Sequence, residues 1–554
     1  MKFFNLIILI LFISSSVFAQ DLSHISKQKP LQFSGGLQTT VNYQTSSLQM
    51  DSYQPFSYLI SLNLNPQIYG ISLPFSLAYS RGSRQFSQPF YRFGISPTYK
   101  WIKLNLGHRS TQFSKYTVAG LKSLGAGIEL TPKKFRFAFM YGSFVRQRNF
   151  RTVYPMDNLN MDDYSRKGYA LKIGLGSKRN FVDIIMMKIN DDVSNFTNDT
   201  LPITPESNLA LALNTKFTIA KKLFFKTEVA GSVLTRDMKG KSIDASGVNK
   251  TLQSIANFAN VNSSTILAFA GDASLDYKLK TFNIGLQFKH VDPGYRTLGT
   301  YMIRNDFESY MLNLGFHKKS FSINGGIGKA RDNLKKQKMA QTNRIITRLN
   351  ISYQSAKIFS ITANYNNFST QQTEGRIPLN DTIRIYQANK TIGIMPQFRF
   401  INKKRAHIIV LNYTYADMLD KNPYANVSVP ALSNIAFAQY NFMNIPNAFG
   451  ISLNMTYTKM KAATNNITTY GPNIGFQKRL LKNKMNLQIG GGYILTDTGI
   501  SKGNVIQGLL RSSYKIGKSQ YIRFSFMLNK SNTTGVNAFV RDYTRSMLTY
   551  GYKF

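Results

Sequence analysis

The feature that most constrains this chain is an alternation of apolar and polar residues that recurs from residue 31 to the C-terminus. In one segment Ile71, Leu73, Phe75 and Leu77 share a face of an extended strand, and small or polar residues share the other. There are about 26 such segments (about 24 to 28), each of roughly the length that a tilted membrane strand needs. This pattern predicts an all-β protein built from antiparallel strands.

The connections between these segments alternate between short and long. Residues 65–67, 131–134 and 402–405 are short connections, whereas residues 190–207 form a long polar one. Membrane β-barrels have short periplasmic turns and long extracellular loops, and a soluble sandwich has no reason to keep this regularity over so long a chain. We therefore expect residues 31–554 to form a transmembrane antiparallel up-and-down β-barrel in a bacterial outer membrane.

The N-terminus has the pattern of a secretory signal peptide over residues 1–19. Lys2 supplies the positive charge, Phe3–Ile13 the apolar region and Val17-Phe18-Ala19 the cleavage site. Residues 20–30 would then form a short periplasmic leader. The chain has no cysteine, so disulfides and thiolate metal sites are excluded.

Several stretches resemble a known group of proteins. The "FAQ" that ends the signal sequence, the register of the hairpins, the segment 88–109 and the final "YGYKF" resemble large single-chain outer-membrane β-barrel proteins of Bacteroidota-type bacteria. The resemblance implies a Gram-negative outer-membrane barrel and carries no functional motif, because the family is poorly characterised. TonB-dependent transporters and outer-membrane assembly insertases match less well, since the sequence before residue 31 has no room for their additional domains.

The charge of the chain is very uneven, with 69 Lys and Arg against 26 Asp and Glu. Many basic residues alternate with apolar ones, and we expect them to face the lumen, because a Lys or Arg facing lipid at mid-depth costs about 2–4 kcal/mol. Fewer acidic residues share this parity, namely Glu129, Asp183, Glu228 and Asp276. The predicted lumen-lining basic residues are Arg92, Lys103, Arg136, Lys172, Lys226, Lys289, Arg344, Arg348, Arg399, Arg523 and Arg545.

Two explanations of the positive charge remain open, and both can hold. A lumen lined by basic residues raises the local concentration of anions, which indicates a passive, porin-like transport channel for anionic solutes. Lysine pairs in the short connections, such as 133–134 and 221–222, indicate instead contacts with lipid phosphates or lipopolysaccharide. A different class of function is a non-conducting barrel that anchors a surface-protein or type IX secretion-like complex through periplasmic or surface protein partners.

A barrel of about 26 strands encloses more space than its own side chains fill, so some segment must occlude it. Residues 237–262 are the candidate, because Val248, Leu252, Ile255 and Phe258 recur there at near-helical spacing. We predict a short amphipathic helix that either occludes the lumen or caps the outer loops.

The sequence predicts no enzyme, cofactor or metal site. The five histidines are scattered, and no pair of them has metal-ligand spacing. Basic and aromatic residues do not cluster on one binding element, so nucleic acid is not expected as a partner.

Overall fold

The alternating segments form one large closed sheet. The computed structural model describes residues 30–47, 55–81, 92–145, 164–194, 204–243, 249–355, 358–376, 384–422, 431–462, 465–535 and 538–554. The predicted signal peptide and nearly all of the predicted leader lie outside these residues. Within them, no helix is long and apolar enough to cross a bilayer.

The sheet has 26 strands, within the predicted range. Four of them are interrupted, namely β1 (Leu31–Gln32 and Gly35–Ser46), β2 (Phe56–Leu64 and Gln67–Ile68), β3 (Ile71–Ser72 and Phe75–Arg81) and β4 (Arg92–Ile95 and Thr98–Tyr99). The next nine are β5 (Ile102–Ser110), β6 (Lys122–Leu130), β7 (Phe135–Val145), β8 (Ser165–Gly176), β9 (Phe181–Asp192), β10 (Ser207–Ile219), β11 (Leu223–Thr235), β12 (Thr265–Lys278) and β13 (Phe282–Val291). The remaining strands are β14 (Phe307–Lys318), β15 (Phe321–Asp332), β16 (Ala340–Gln354), β17 (Phe359–Glu374), β18 (Tyr386–Ile401), β19 (Arg405–Asp420), β20 (Ala431–Asn444), β21 (Phe449–Ala462), β22 (Asn465–Leu480), β23 (Met485–Asp497), β24 (Ser501–Ile516), β25 (Gln520–Gly535) and β26 (Phe539–Lys553). Helix α1 (Lys250–Ala259) lies between β11 and β12 in the chain.

The last strand closes the sheet onto the first. β26 runs antiparallel to β1, with Tyr552 opposite Leu37. The Gly35 N–H donates to the Phe554 carbonyl at 2.9 Å, and the rings of Phe33 and Phe554 stack with centroids 5.1 Å apart. Closure pairs the backbone of every described strand on both sides, so the sheet has no exposed edge. The predicted up-and-down barrel is confirmed.

Short and long connections lie at opposite ends of the barrel. Turns of two to four residues, such as 131–134, join strands at the short-turn end, and long segments such as 236–264 join them at the long-loop end. The prediction of a turn at 65–67 is wrong, because the turn lies at Tyr69–Gly70, where both residues have positive φ. Pro66 instead interrupts β2, since proline has no N–H to donate to the ladder.

The two faces of the sheet differ as the alternation predicts. Large apolar residues of the outer face are exposed along the whole circumference, among them Ile184, Leu267 and Leu286. Residues of the opposite parity, such as Met187 and Glu228, face the lumen and are polar, small or covered by loops. An apolar outer band over a closed sheet is the arrangement that lipid requires.

Candidate functional site

All eleven predicted basic residues lie on the lumen face. Their register partners across the sheet share that face, as for Lys103 opposite Glu129 and Arg523 opposite Thr549. For Arg92 the backbone pairing with Ala78 gives the same face, and its side chain lies outside the described residues. This shared face follows from the alternation, because side chains in a strand point to opposite faces in turn.

Two loops from the long-loop end fold into the lumen and form what we call the plug, residues 111–121 and 292–306. The loops bind each other: the Tyr295 hydroxyl donates to the Tyr116 carbonyl at 2.8 Å, and the Ala119 N–H donates to the Gly299 carbonyl at 3.1 Å. The rings of Tyr116 and Tyr295 meet edge to face, with centroids 6.2 Å apart. The plug thus consists of the loop that connects β5 to β6 and the loop that connects β13 to β14, which contact each other inside the lumen.

An apolar core joins the plug to the lumen face of β7–β12. Ile185 and Met187 of β9 are fully buried beneath it. Small residues on neighbouring strands make room for the loops; they are Ala138, Ala170, Ala210, Ala212, Ala230, Ala268 and Ala270. The backbone at Gly299 approaches so closely that a Cβ there would overlap the Thr117 carbonyl and the Met187 sulfur. The core therefore requires glycine at that position.

Two lumen-facing carboxylates fasten the first plug loop to the wall. Glu228 of β11 is 3% exposed, and its Oε1 accepts the Ser114 hydroxyl at 2.5 Å and the Lys115 N–H at 2.9 Å. Asp272 of β12 accepts the Tyr116 hydroxyl at 2.9 Å and forms an ion pair with Lys115. These charge-assisted contacts satisfy polar groups that burial would otherwise leave unpaired.

The second plug loop is fastened by a bidentate ion pair. Arg296 donates to both carboxylate oxygens of Glu206, at 2.6 and 2.8 Å. Arg166 of β8 donates to the same carboxylate at 3.1 Å and to Asp191 of β9 at 2.7 Å. A bidentate guanidinium–carboxylate contact fixes orientation as well as position. The loop is thus held at the rim of β8–β10.

Several basic residues on the covered half of the lumen have carboxylate or aromatic neighbours. Lys103 binds Glu129 at 2.9 Å, and Arg136 binds the nearly buried Asp183 at 2.8 Å. The Lys172 ammonium lies over the Phe113 ring of the plug, 5.2 Å from its centroid. Lys103 and Arg136 are thus paired with carboxylates within the fold, whereas Lys172 is held by a ring.

The lumen face of β16–β26 is not covered by the plug, and we call it the uncovered wall. Its inward apolar side chains stay accessible: Phe368 and Met395 are each 39% exposed, against 0% for Ile185 and Met187. Its lining is rich in amides, for example Asn364 and Asn366. Solvent therefore reaches this wall.

The five predicted arginines of the uncovered wall contact amides or aromatic rings. Arg348 donates to Asn313 at 2.7 Å, Arg399 to Gln397 at 2.9 Å and Arg545 to Asn42 at 2.7 Å. The guanidinium groups of Arg344 and Arg523 lie over Phe368 and Tyr521. Among the described residues none of these five forms a salt bridge, so their positive charge is not compensated locally.

Helix α1 lies within the predicted segment 237–262, and of the two placements left open for it the lumen is not the one observed. The Phe258 ring lies 5.8 Å from the Lys188 ammonium, and Lys188 points outward because Met187 points inward. Asn260 donates to the outward-facing Ser207 at 3.0 Å. Helix α1 thus packs on the outer surface at the long-loop end, with Leu252, Ile255 and Phe258 exposed. Val248 lies outside the described residues.

The sequence prediction missed the plug and part of the arginine lining. Arg511 also lies on the uncovered wall, opposite Gln488 and Ser525. It escaped notice because two leucines precede it and obscure the alternation. The alanines of the covered half were the available signal for the plug, since small inward residues on successive strands leave room for another segment. In the described part of the chain, no group of acidic or histidine side chains is arranged to hold a metal ion.

No protein-family model matches the chain, and no curated protein matches it. Among solved structures it is similar to the copper transporter OprC, at 8% identity and a TM-score of 0.40, over 94% of this chain and 80% of that one. It is also similar to the FrpB iron transporter from Neisseria meningitidis (F5-1 variant), at 10% identity and a TM-score of 0.39. That match covers 96% of this chain and 83% of the transporter. A third similar structure is that of the P pilus usher (PapC) translocation pore. It has 10% identity and a TM-score of 0.37, and the match covers 94% of this chain and 99% of that one. At such low values none of these similarities assigns a solute, partner or activity.

Proposed function

We propose that this protein is a passive outer-membrane channel that favours anionic solutes. The observation that carries the proposal is the asymmetry of the lumen: the plug covers one half, and arginines without carboxylate partners line the other. Solutes would pass along the uncovered wall, beside Arg344, Arg348 and Arg523. Uncompensated positive charge along a low-dielectric wall raises the local anion concentration and repels cations.

The amide lining supports the same path. Asn and Gln side chains both donate and accept hydrogen bonds, so they solvate a polar solute without binding it as tightly as a charge does. Arg348, held by Asn313, and Arg545, held by Asn42, keep their orientation while further N–H groups remain available. A guanidinium fork with spare donors suits carboxylate or phosphate groups.

The test is the reversal potential in planar bilayers under a salt gradient. We expect the wild type to conduct with anion preference. The variant Arg344→Gln/Arg348→Gln/Arg523→Gln should move the reversal potential towards zero, because it removes charge from the path. The matched control is Lys329→Gln/Lys390→Gln/Lys459→Gln, which removes three charges from the outer face of the same sheet and should change nothing. Cation preference, or an unaltered selectivity in the arginine variant, would refute the electrostatic part.

A second candidate is a non-conducting barrel that anchors a surface-protein or type IX secretion-like complex. The plug favours it, because a fastened apolar core inside a barrel opposes flow. This function would be supported by an absence of conductance in the wild type and in a variant with a loosened plug, together with a stoichiometric partner in purified complexes. Conductance in the wild type would exclude it. The membership in Bacteroidota-type barrels remains a prediction.

A further inference from the structure

The short-turn end of the barrel carries a ring of cations. Of the eleven short turns whose residues are all described, nine contain at least one Lys or Arg, and none contains an Asp or Glu. We call these turns the basic collar. The turn residues Lys100, Lys134, Lys222, Lys280 and Lys404 are all exposed. The nearest carboxylates, Glu129, Asp183 and Asp276, face the lumen instead.

The collar lies at the depth of lipid headgroups. Exposed aromatic residues lie on the outer face where the strands meet the short turns. Among them are Phe135, Phe282, Tyr353 and Phe400. Aromatic side chains of membrane barrels concentrate at the boundary between hydrocarbon and water. The collar turns begin directly beyond these residues, where phosphate groups of the adjacent leaflet would lie.

The distribution of the charge favours lipid over a docked protein. Among the fully described turns, the basic ones follow the circumference from β4–β5 to β24–β25, and within that span only the β20–β21 turn lacks a basic residue. A protein partner touches one arc of a ring, whereas lipids surround the barrel on every side. Charge placed on nearly every turn therefore matches a ligand that is present at every turn.

The backbone of several collar turns is left-handed at lysine. Lys100, Lys221, Lys319 and Lys482 adopt positive φ, at 50°, 62°, 48° and 53°. Glycine or asparagine fits the left-handed region more easily, and the chain does use Gly517 and Asn483 there. Lysine is less favourable than glycine at these positions, as are Ala220 and Leu481, which are left-handed in the same turns.

We propose that the basic collar binds the phosphate groups of anionic phospholipids in the leaflet at the short-turn end. The ligand is a lipid headgroup with net negative charge, and the attraction per exposed lysine is modest but is repeated around the ring. This inference does not depend on conduction. Its failure would leave the reversal-potential result unchanged, and a non-conducting barrel would still bind such lipids.

The single tryptophan of the chain, Trp101, reports directly on the collar. It lies in the β4–β5 turn beside Lys100, and its carbonyl accepts the Thr131 N–H of the neighbouring β6–β7 turn at 2.9 Å. The full-length mature protein would be reconstituted in phosphatidylcholine vesicles. Quenching of Trp101 by phosphatidylglycerol brominated near the headgroup is then compared with quenching by phosphatidylcholine brominated at the same position.

We expect phosphatidylglycerol to associate with the wild type several-fold more strongly than phosphatidylcholine, with a preference that falls as salt rises. The variant Lys100→Gln/Lys134→Gln should bring the ratio close to one. The control Lys403→Gln/Lys404→Gln removes equal charge from a distant turn and should keep the wild-type ratio at Trp101. A quenching ratio near one in the wild type would overturn the proposal and would point to an acidic protein as the ligand of the collar. A ratio that is the same in Lys100→Gln/Lys134→Gln as in the wild type would also overturn it.

Discussion

The carboxylate of Glu228, on the lumen face of β11, accepts the hydroxyl of Ser114 at 2.5 Å, although the two residues lie 114 positions apart. The contact joins a loop from the β5–β6 hairpin to a strand on the far side of β7–β10. Since Glu228 also accepts the Lys115 N–H, one buried side chain fastens the start of the first plug loop.

Glu228→Ala should loosen this loop. The variant leaves the Ser114 hydroxyl and the Lys115 N–H without their acceptor, at a cost of about 1–3 kcal/mol for each buried group left unpaired. We expect trypsin to cleave after Lys115 in folded Glu228→Ala but not in the wild type, and single-channel current to become noisier. Glu228→Gln, which keeps one acceptor oxygen, should resemble the wild type. Equal resistance of Glu228→Ala and the wild type to trypsin would contradict this role.

The plug should also loosen at alkaline pH. Burial raises the pKa of Tyr116, and the adjacent Asp272 carboxylate raises it further; burial also raises the pKa of Tyr295. Because the folded plug holds these protons more tightly than a released plug does, its stability is complete below the ordinary tyrosine pKa of about 10 and declines as pH rises beyond it.

We therefore expect conductance to be constant from neutral pH to about pH 9 and to change above about pH 10. The variant Tyr116→Phe/Tyr295→Phe removes both titrating hydroxyls, so its conductance should depend much less on pH in that range. An identical pH profile in the variant and the wild type would show that other groups are responsible.

Overpacking offers a test of the two faces of β11. Ala230 is 1% exposed beneath the plug, whereas its neighbour Val229 is 50% exposed on the outer face. Ala230→Leu inserts volume into a filled core and should cost about 1–3 kcal/mol, which displaces the plug. Val229→Leu should leave thermal unfolding and conductance unaltered. Equal effects of the two substitutions would mean that the plug does not cover β11.

Cysteine labelling separates the lumen from the outer surface, because the natural chain has no cysteine. Asn366 lies on the uncovered wall and Ile255 on the exposed side of α1. A bulky thiol reagent should lower the conductance of Asn366→Cys, since it narrows the path, and should leave that of Ile255→Cys unaltered although the residue is labelled. A block through Ile255→Cys would place α1 in the lumen after all.

Much of this architecture was predictable from the sequence, for a local reason. A strand turns its side chains to alternate faces whatever its neighbours are, so the parity of Arg348 or Arg523 follows from the residues beside it. The 26-strand barrel and the opposite ends of short and long connections follow from repeating that local pattern. Where the alternation is obscured, as at Leu509, Leu510 and Arg511, the prediction failed.

The plug and the position of α1 were decided only by tertiary structure. Nothing near Ser114 in the chain indicates that its partner is Glu228, and the apolar residues of α1 have the same helical spacing whether they face a lumen or lipid. Sequence periodicity determines which face a side chain occupies, whereas the direction in which a loop folds depends on contacts between segments far apart in the chain. The sequence by itself therefore determined the wall of this barrel, and the tertiary structure decided which half of it remains uncovered.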